Sequence, residues 1–139
     1  MMKLLGYHLA QAGIPSNKIF DKHIGSEFRL KRVEFTILML VWSNDKVTPK
    51  SLSQALSIPA PNLTLILDRL ESRALILRSR SETDRRVQYV NLTAAGLELV
   101  VKADAMSDTM EQELLKHLTD AERGILFELL KKVAIHRKV

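Results

Sequence analysis

A charged turn that leads through an alternating strand into a helix start constrains this chain more than any other feature. The turn is Asp84-Arg85-Arg86, the strand pattern covers residues 87–92, and the helix start lies at residues 93–96. A second extended run at residues 77–80 precedes the turn, and the polar residues between the two runs have the composition of a hairpin loop. The pattern predicts a basic β-hairpin with arginines at its tip.

Two helices joined by a tight turn are predicted immediately before the hairpin. Thr48 can cap a helix start, and Pro49 at the first helical position loses no hydrogen bond, so a short helix runs to about Leu56. Residues 57–59 form the connection, and a second helix begins near residue 60 and ends near Arg73. Its apolar stripe consists of Leu63, Ile66, Leu67 and Leu70. This is helix-turn-helix spacing, and the hairpin after it completes a winged helix-turn-helix.

The hairpin and the helix start resemble the wing of the MarR family of bacterial transcription regulators. That wing carries an Asp-x-Arg turn, a Leu-Thr pair and a Gly three residues after the Thr, which here are Asp84, Arg86, Leu92, Thr93 and Gly96. Residues 68–76 look like the exit of the family's recognition helix, and a looser resemblance covers nearly the whole chain. It implies a mainly α fold with a small β-hairpin wing and with dimerisation helices at both ends.

Two positions depart from the family pattern. The family usually has Gly at the position of Ala74, because the residue that leaves the recognition helix tends to be left-handed. If Ala74 keeps that conformation, the strain amounts to about 1 kcal/mol. At residues 13–16, Pro15 would remove a backbone donor and clash with the preceding turn, so a break or kink of the first helix is expected.

The length of 139 residues and the apolar content of 46% predict one domain over residues 1–139. The winged helix-turn-helix lobe takes residues 31–93, and its helix over residues 33–43 is apolar on nearly every side, which is typical of a central helix. The resemblance makes residues 1–30 and 94–139 dimerisation helices. Thr93 caps a helix to about His117, and residues 119–122 form a capping box that opens the last one. Their apolar surface favours a homodimer; an intramolecular bundle is the alternative.

Several protein classes are excluded by what the sequence lacks. Without cysteine there is no disulfide, thiolate nucleophile or thiol redox sensor. The longest apolar run is far shorter than the ~20 residues of a membrane span, and the N-terminus lacks a signal-peptide core, so a cytoplasmic protein without a membrane partner is expected. No Gly-rich phosphate loop or nucleophile-elbow serine supports an enzyme, and no cofactor is expected. The isolated carboxylates Glu27 and Glu34 lie near helix starts, where they favour the helix dipole.

The location of the basic residues says more than the net charge of +5. Residues 69–86 hold six arginines and no lysine, against three acids. Guanidinium groups are weakly hydrated and donate in a fork, which suits contact with phosphates and grooves. A solvated hairpin held by salt bridges is the other interpretation. The helix pattern before the hairpin favours double-stranded DNA as the partner.

The second helix of a helix-turn-helix places its N-terminal part in the major groove. The residues opposite the apolar stripe are Pro61, Asn62, Thr64, Leu65 and, nearer the backbone, Arg69. Asn pairs with adenine, and the methyl groups of Thr and Leu suit thymine. Because this surface is rather apolar, much of the affinity is expected from phosphate contacts and DNA shape. The candidates for those contacts are Lys50, Ser51, Arg69, Arg78 and Arg80.

Arg86 is the principal candidate at the wing tip. It matches the family's arginine that enters the minor groove, where narrow A/T-rich DNA concentrates negative potential. Asp84 would orient it by a salt bridge, and Arg85 is a second candidate for the groove or for phosphate. In the alternative interpretation, Asp84 and Arg86 only stabilise the turn.

A small effector is implied by the resemblance, since most of the family responds to an aromatic anion held between the dimer helices and the DNA-binding lobe. The candidate wall residues and anion partners are Tyr7, His8, Phe20, His23, Phe28, Met39, Trp42, Arg29 and Arg32. Each of them is also compatible with plain packing or surface. The four histidines are scattered without metal-ligand spacing, so no metal site is predicted.

The sequence therefore predicts a homodimeric DNA-binding repressor that acts on a pseudo-palindromic operator and is released by a small aromatic or anionic ligand. The alternatives are a winged-helix module that binds protein instead of DNA, and a metal-responsive regulator.

Overall fold

The computed structural model describes residues 2–137, which form seven α-helices and one antiparallel β-hairpin. In chain order these are α1 (Leu5–Phe20), α2 (Ser26–Phe28), α3 (Arg32–Ser43), α4 (Pro49–Leu56), α5 (Ala60–Ser72), β1 (Ile76–Arg80), β2 (Gln88–Leu92), α6 (Ala94–Leu114) and α7 (Asp120–Val133). A π-helical turn, Asp21–Gly25, lies between α1 and α2. The predicted mainly α fold with one small hairpin is confirmed.

The chain divides into two compact units. The first, called the end unit, consists of the residues up to Arg32 together with Ala103–Ala134. The second, called the central unit, consists of Val33–Lys102 with the residues from Ile135 onward. Within residues 2–137, no helix is both long and apolar enough to cross a bilayer.

In the end unit, a break or a kink is expected at residues 13–16, and the break is absent. Helix α1 continues through Pro15 to Phe20. Proline leaves the carbonyl of Gln11 without its helical donor, but Gln11 and Pro15 are both exposed, so water can bond that carbonyl. The irregular backbone follows Phe20 instead, in the π-helical turn, and the chain then reverses at Arg29, whose φ of 51° is left-handed.

The end unit combines a small interior with a large apolar surface. Phe20, Ile24 and Leu30 are buried. The α7 capping box is confirmed, because the Thr119 hydroxyl accepts from the Glu122 amide at 3.1 Å and the Glu122 carboxylate accepts from the Thr119 amide at 3.0 Å. Large apolar side chains nevertheless lie exposed on α1 and α7: Leu5, Tyr7, Leu9, Ile14, Ile125, Phe127, Leu129 and Val133. The surplus apolar surface expected at both ends of the chain is present.

Glu113, near the end of α6, is the charged centre of the end unit. Its carboxylate accepts from Lys22 Nζ at 2.8 Å and forms a short contact with His23 Nε2. The hydrogen bonds from Lys22 and then His23 lower the pKa of Glu113 to about 2. Helix α6 ends at Leu114 rather than near His117, and residues 115–117 continue it only as a turn.

The core of the central unit is built from one stripe of each helix and from the base of the hairpin. Its largest fully buried side chains include Ile37, Leu38, Leu52, Leu63, Leu67, Leu70, Ile76, Val90 and Val100. Helix α3 is less central than its composition predicts, since Trp42 is 39% exposed. The hairpin pairs Ile76 with Leu92 and Arg80 with Gln88, and the Val90 amide also donates to the Val47 carbonyl at 2.8 Å.

The helix-turn-helix forms as its capping residues predict. Thr48 accepts from the Ser51 amide at 3.0 Å, and Pro49 occupies the first turn of α4. Helix α4 stops at Ser57, which is left-handed with φ 54°, and α5 then begins after Pro59.

Thr93 joins the exit of α5, the end of β2 and the start of α6. Its hydroxyl donates to the Ala74 carbonyl at 2.6 Å and accepts from the Gly96 amide at 2.9 Å, while its own amide donates to the Leu75 carbonyl at 3.1 Å. Ala74 has φ 57°, so the predicted left-handed conformation is confirmed. A Cβ atom on Gly96 would lie 2.0 Å from the Leu75 carbonyl oxygen, which explains why glycine stands there.

Gly96→Ala is therefore expected to destabilise the protein by ~1–3 kcal/mol or more, because the backbone of Leu75 has to move. The matched control is Gly124→Ala on α7, where a Cβ meets nothing within 4 Å and the higher helix propensity of alanine adds up to ~1 kcal/mol. Urea unfolding followed by circular dichroism measures both. An unfolding midpoint for Gly96→Ala equal to that of the parent protein contradicts the close-packed junction.

Candidate nucleic-acid interface

The N-terminal half of α5 presents an exposed surface opposite its buried stripe. Leu63, Leu67 and Leu70 are buried and Ile66 is half-buried, as the spacing predicts. Four of the predicted base-reading residues are exposed together: Pro61, Asn62, Thr64 and Leu65. The structure thus brings these four candidates to one face of α5.

The chemistry of that face is set by two of its side chains. The Thr64 hydroxyl donates to the Ala60 carbonyl at 3.0 Å, so its donor is used within the helix and its methyl group and remaining acceptor capacity are left for a partner. Leu65 is 66% exposed, an unusual degree for a leucine on a helix that has a core to pack against. Such a surface suits thymine methyl groups better than hydrogen-bond donors in the groove.

Arg69 is placed differently from the other candidates. Its Nη1 lies 3.7 Å from Oε2 of Glu34, whose side chain is 3% exposed on α3. Since a buried carboxylate is costly without a cation, this ion pair fixes α5 against α3. Half of the Arg69 side chain remains exposed, so a phosphate contact is compatible with the pair, but the arginine also has a structural partner.

The two candidates on α4, Lys50 and Ser51, differ in the hydrogen bonds that they make within the protein. Lys50 is exposed in the first turn of the helix. Ser51 is exposed too, but its hydroxyl donates to the Thr48 carbonyl at 2.8 Å and accepts from the Thr48 amide at 3.0 Å. The capping box therefore uses the Ser51 hydroxyl, whereas Lys50 is exposed.

The hairpin tip holds Arg86 outward on a braced turn. Asp84 accepts from the Arg86 amide at 3.0 Å, from its Nε at 3.1 Å and from its Nη2 at 3.3 Å. These bonds, the side-chain bond first, lower the pKa of Asp84. The Arg86 side chain nonetheless is 91% exposed. The predicted pairing of Asp84 with Arg86 is present, and it orients the guanidinium without covering it.

Two further residues shape the tip. The hairpin loop begins at Ser81, which is 9% exposed and whose amide donates to the Val87 carbonyl at 2.8 Å. Arg80 donates from Nη1 to the Arg85 carbonyl at 2.7 Å, so it braces the loop from β1. The Arg85 side chain itself is exposed beside Arg86.

Arg78 is largely buried and is paired with two carboxylates of α5. Its side chain is 17% exposed, and Nη2 bonds Asp68 at 2.6 Å and Glu71 at 2.9 Å, both on α5. The bond to Glu71, followed by the one to Asp68, raises the pKa of Arg78. The phosphate contact of Arg78 stays a prediction, and the structure adds that its charge is paired with two carboxylates of the protein.

Sequence reasoning missed the carboxylates that engage these arginines. The sequence predicts for Glu34 only a favourable position in the helix dipole. Glu34 does lie in the first turn of α3, but it is buried and paired with Arg69. Asp68 and Glu71 meet Arg78 across a turn of the chain, where helical i, i+4 spacing does not apply. The only available signal was an excess of arginine beside a few acids.

The effector candidates are described within each unit. In the end unit, the Tyr7 and His8 rings meet edge to face at 5.5 Å, and the Arg32 guanidinium lies 5.9 Å from the centre of the buried Phe20 ring while bonding Asn17 at 2.6 Å. The His23 ring bonds the Glu113 carboxylate. The remaining candidates there are half-buried Phe28 and exposed Arg29.

In the central unit, Met39 is half-buried, and Trp42 borders an open cleft with Asn91 and Leu97. Across the described part of the chain, no three His, Asp or Glu side chains are grouped as metal ligands would be.

Comparison with known proteins gives consistent results. A sequence profile described as the MarR family matches residues 30–87. The organic hydroperoxide resistance transcriptional regulator of Bacillus subtilis (strain 168) is 32% identical over 111 residues, which are 76% of this chain and 71% of that protein.

Two solved structures are similar over nearly the whole chain. The transcriptional repressor CouR, bound to a 23-mer DNA duplex, is 31% identical with a TM-score of 0.87, and the match covers 95% of this chain and 93% of that chain. Bordetella bronchiseptica BpsR, whose DNA binding is regulated by 6-hydroxynicotinic acid, is 25% identical with a TM-score of 0.84, covering 95% and 94%.

Proposed function

Since this chain belongs to the MarR family of non-enzymatic, DNA-binding transcriptional regulators, we propose that it is a homodimeric repressor of a pseudo-palindromic operator, released by a small aromatic or anionic ligand. The observation that carries the proposal is the outward-held Arg86 on its braced turn, combined with the exposed N-terminal face of α5. These two surfaces belong to one unit and have the chemistry of a minor-groove and a major-groove contact.

The major-groove contact is assigned to Pro61, Asn62, Thr64 and Leu65, because these are the exposed residues of the α5 N-terminal half. Asn62 supplies hydrogen bonds to an adenine edge, and Thr64 and Leu65 supply methyl contacts to thymine. Arg69, Lys50, Arg80 and Arg85 add phosphate contacts that carry affinity and register.

The minor-groove contact is assigned to Arg86. Asp84 neutralises part of its charge, but the Arg86 side chain is 91% exposed and that of Asp84 is 42% exposed. A surface pair of this kind is worth less than ~1 kcal/mol and yields readily to a phosphate or base. The role of Asp84 is to limit the directions in which the guanidinium points before DNA arrives.

The homodimer is supported by the exposed apolar side chains of α1 and α7. A monomer rarely leaves so much apolar surface to water, and a second copy of the chain would cover it. Two-fold symmetry then accounts for a pseudo-palindromic operator, with half-sites about one helical turn apart. We place its action with the operator DNA, in the cytoplasm.

Arg86→Ala should weaken operator binding roughly tenfold or more, a loss of ~1.4 kcal/mol, and the loss should be larger on A/T-rich flanks than on G/C-rich ones. Fluorescence anisotropy on genomic fragments around the protein's own gene, at two salt concentrations, measures it. Lys116→Ala removes the same charge from an exposed turn of the end unit and is the control. Equal affinity of Arg86→Ala and parent on both flank types would sink the minor-groove role. A parent without salt-dependent binding would sink DNA regulation and leave the protein-binding module.

Leu129→Glu should convert the dimer to a monomer at micromolar concentration, because it places a charge in the apolar surface of α7 without disturbing a buried side chain. Light scattering gives the mass, and Glu128→Gln on the same helix is the control. A parent protein that is already monomeric rules out the proposed dimer.

An aromatic carboxylate should raise the melting temperature of the dimer and lower its affinity for DNA. By linkage, saturating operator DNA should lower the affinity of the dimer for that ligand by the same factor. Arg29→Ala or Arg32→Ala should blunt this response while leaving the DNA affinity of the ligand-free dimer nearly intact. Thermal shift and anisotropy with a panel of phenolic and aromatic acids measure both effects. No shift at millimolar concentration argues for a different effector or none, and a shift with metal salts alone supports the metal-responsive alternative.

A further inference from the structure

The hairpin needs support beyond its own two strands. An isolated two-stranded hairpin is at best marginally stable in water. In the middle of β2 the Val90 amide donates to the Val47 carbonyl, and just beyond the end of β2 Thr93 bonds the exit of α5. Nearer the tip, Ser79 and Arg80 on β1 are exposed, and so are the loop arginines. A flexible hairpin would let Arg86 sample many positions relative to α5.

Arg78 lies midway along β1 and supplies that support. Its register partner is Val90, and its guanidinium reaches back to α5. Glu71 holds β1 at two points, since its Oε1 accepts from the Arg78 backbone amide at 3.1 Å and its Oε2 accepts from Nη2 at 2.9 Å. Asp68 adds the bond of 2.6 Å one helical turn earlier. We call Asp68, Glu71 and Arg78 the wing clamp.

The charges of the wing clamp are the reverse of what DNA attraction alone would favour. Two carboxylates face one guanidinium, so the group carries a formal charge of about −1 on the helix and hairpin to which the proposed function assigns DNA contact. Releasing Arg78 to a phosphate would leave both carboxylates unpaired beside the DNA. The group is therefore better explained by what it does to the hairpin than by contact with DNA.

We propose that the wing clamp fixes the angle between the recognition helix and the wing, with Arg78, Glu71 and Asp68 acting as positioning residues for DNA binding rather than as contacts to DNA. The inference rests on the proposed DNA-binding function. Holding the hairpin in place before DNA arrives removes an ordering cost from binding, so a clamp of net negative charge still increases affinity. The hydrogen bonds from Arg78 also lower the pKa of Glu71, as expected for a carboxylate used in its ionised form.

Glu71→Gln separates the two explanations by the sign of its effect. Removing a negative charge from a DNA-binding surface strengthens binding on electrostatic grounds, and would also free Arg78 for a phosphate. The clamp instead predicts that Glu71→Gln binds operator about five- to tenfold more weakly. Glu82→Gln, which removes the same charge from an exposed position of the hairpin loop, is the matched control and should bind at least as tightly as the parent. Equal or tighter binding by Glu71→Gln overturns the proposal.

A double-mutant cycle shows whether Glu71→Gln lowers operator affinity by displacing the wing. In the Glu71→Gln background, Arg86→Ala should lower operator affinity clearly less than it does in the parent, because the wing is no longer held at the groove. Thr64→Ala on the recognition helix should cost the same in both backgrounds. A cost of Arg86→Ala that is unchanged by Glu71→Gln contradicts the clamp.

Hydrogen exchange tests the clamp without DNA, so its failure can be told from failure of the DNA-binding function. In free Glu71→Gln protein, the amides that pair near the tip, such as that of Ser81 with the Val87 carbonyl, should exchange several-fold faster. Amides of α4 and α6 should keep the protection they have in the parent, which excludes general unfolding. Arg78→Lys, which keeps the charge but loses the fork, should exchange at an intermediate rate. Unchanged exchange in the hairpin overturns the proposal whatever the protein binds.

Discussion

The backbone contact between Gly96 and Leu75 is the constraint on which the central unit depends. At that point the start of α6 passes so close to the exit of the recognition helix that a single Cβ would lie 2.0 Å from a carbonyl oxygen. Thr93 hydrogen-bonds both Gly96 and Leu75. Ala74, just before Leu75, adopts the left-handed conformation. Helix α5, the hairpin and α6 therefore share one closely packed junction, and the orientation of the exposed face of α5 relative to the hairpin depends on it.

The arginines of the interface divide into two groups according to their partners. Arg69 and Arg78 meet carboxylates of the protein and hold α5 to α3 and to β1. Arg85 and Arg86 are exposed at the tip, where Arg86 pairs with Asp84 of its own turn and, within residues 2–137, holds no other element. In the sequence these arginines form one basic cluster. In the structure, some of them connect helices and strands through ion pairs, and the others are exposed at the hairpin tip.

Local patterns predicted the elements well because each depends on residues close in sequence. The capping chemistry of Thr48 and Thr119 and the stripe of α5 are decided within a few residues, and all are found. The left-handed conformation of Ala74, also found, is expected from the family resemblance. Pro15 is the exception: the rule that proline interrupts a helix holds less strictly where its turn faces water.

The sequence by itself determined the order of helices and strands, the exposed face of the recognition helix and the arginines at the wing tip, because periodicity, caps and turn residues act over short distances. Only the tertiary structure decided which arginines pair with carboxylates of another element and which stay exposed. Glu34 is seen to be buried against Arg69, and Glu71 to hold Arg78, once segments distant in sequence or separated by a turn are packed together. Desolvation and ion pairing depend on that packing, which no local pattern records.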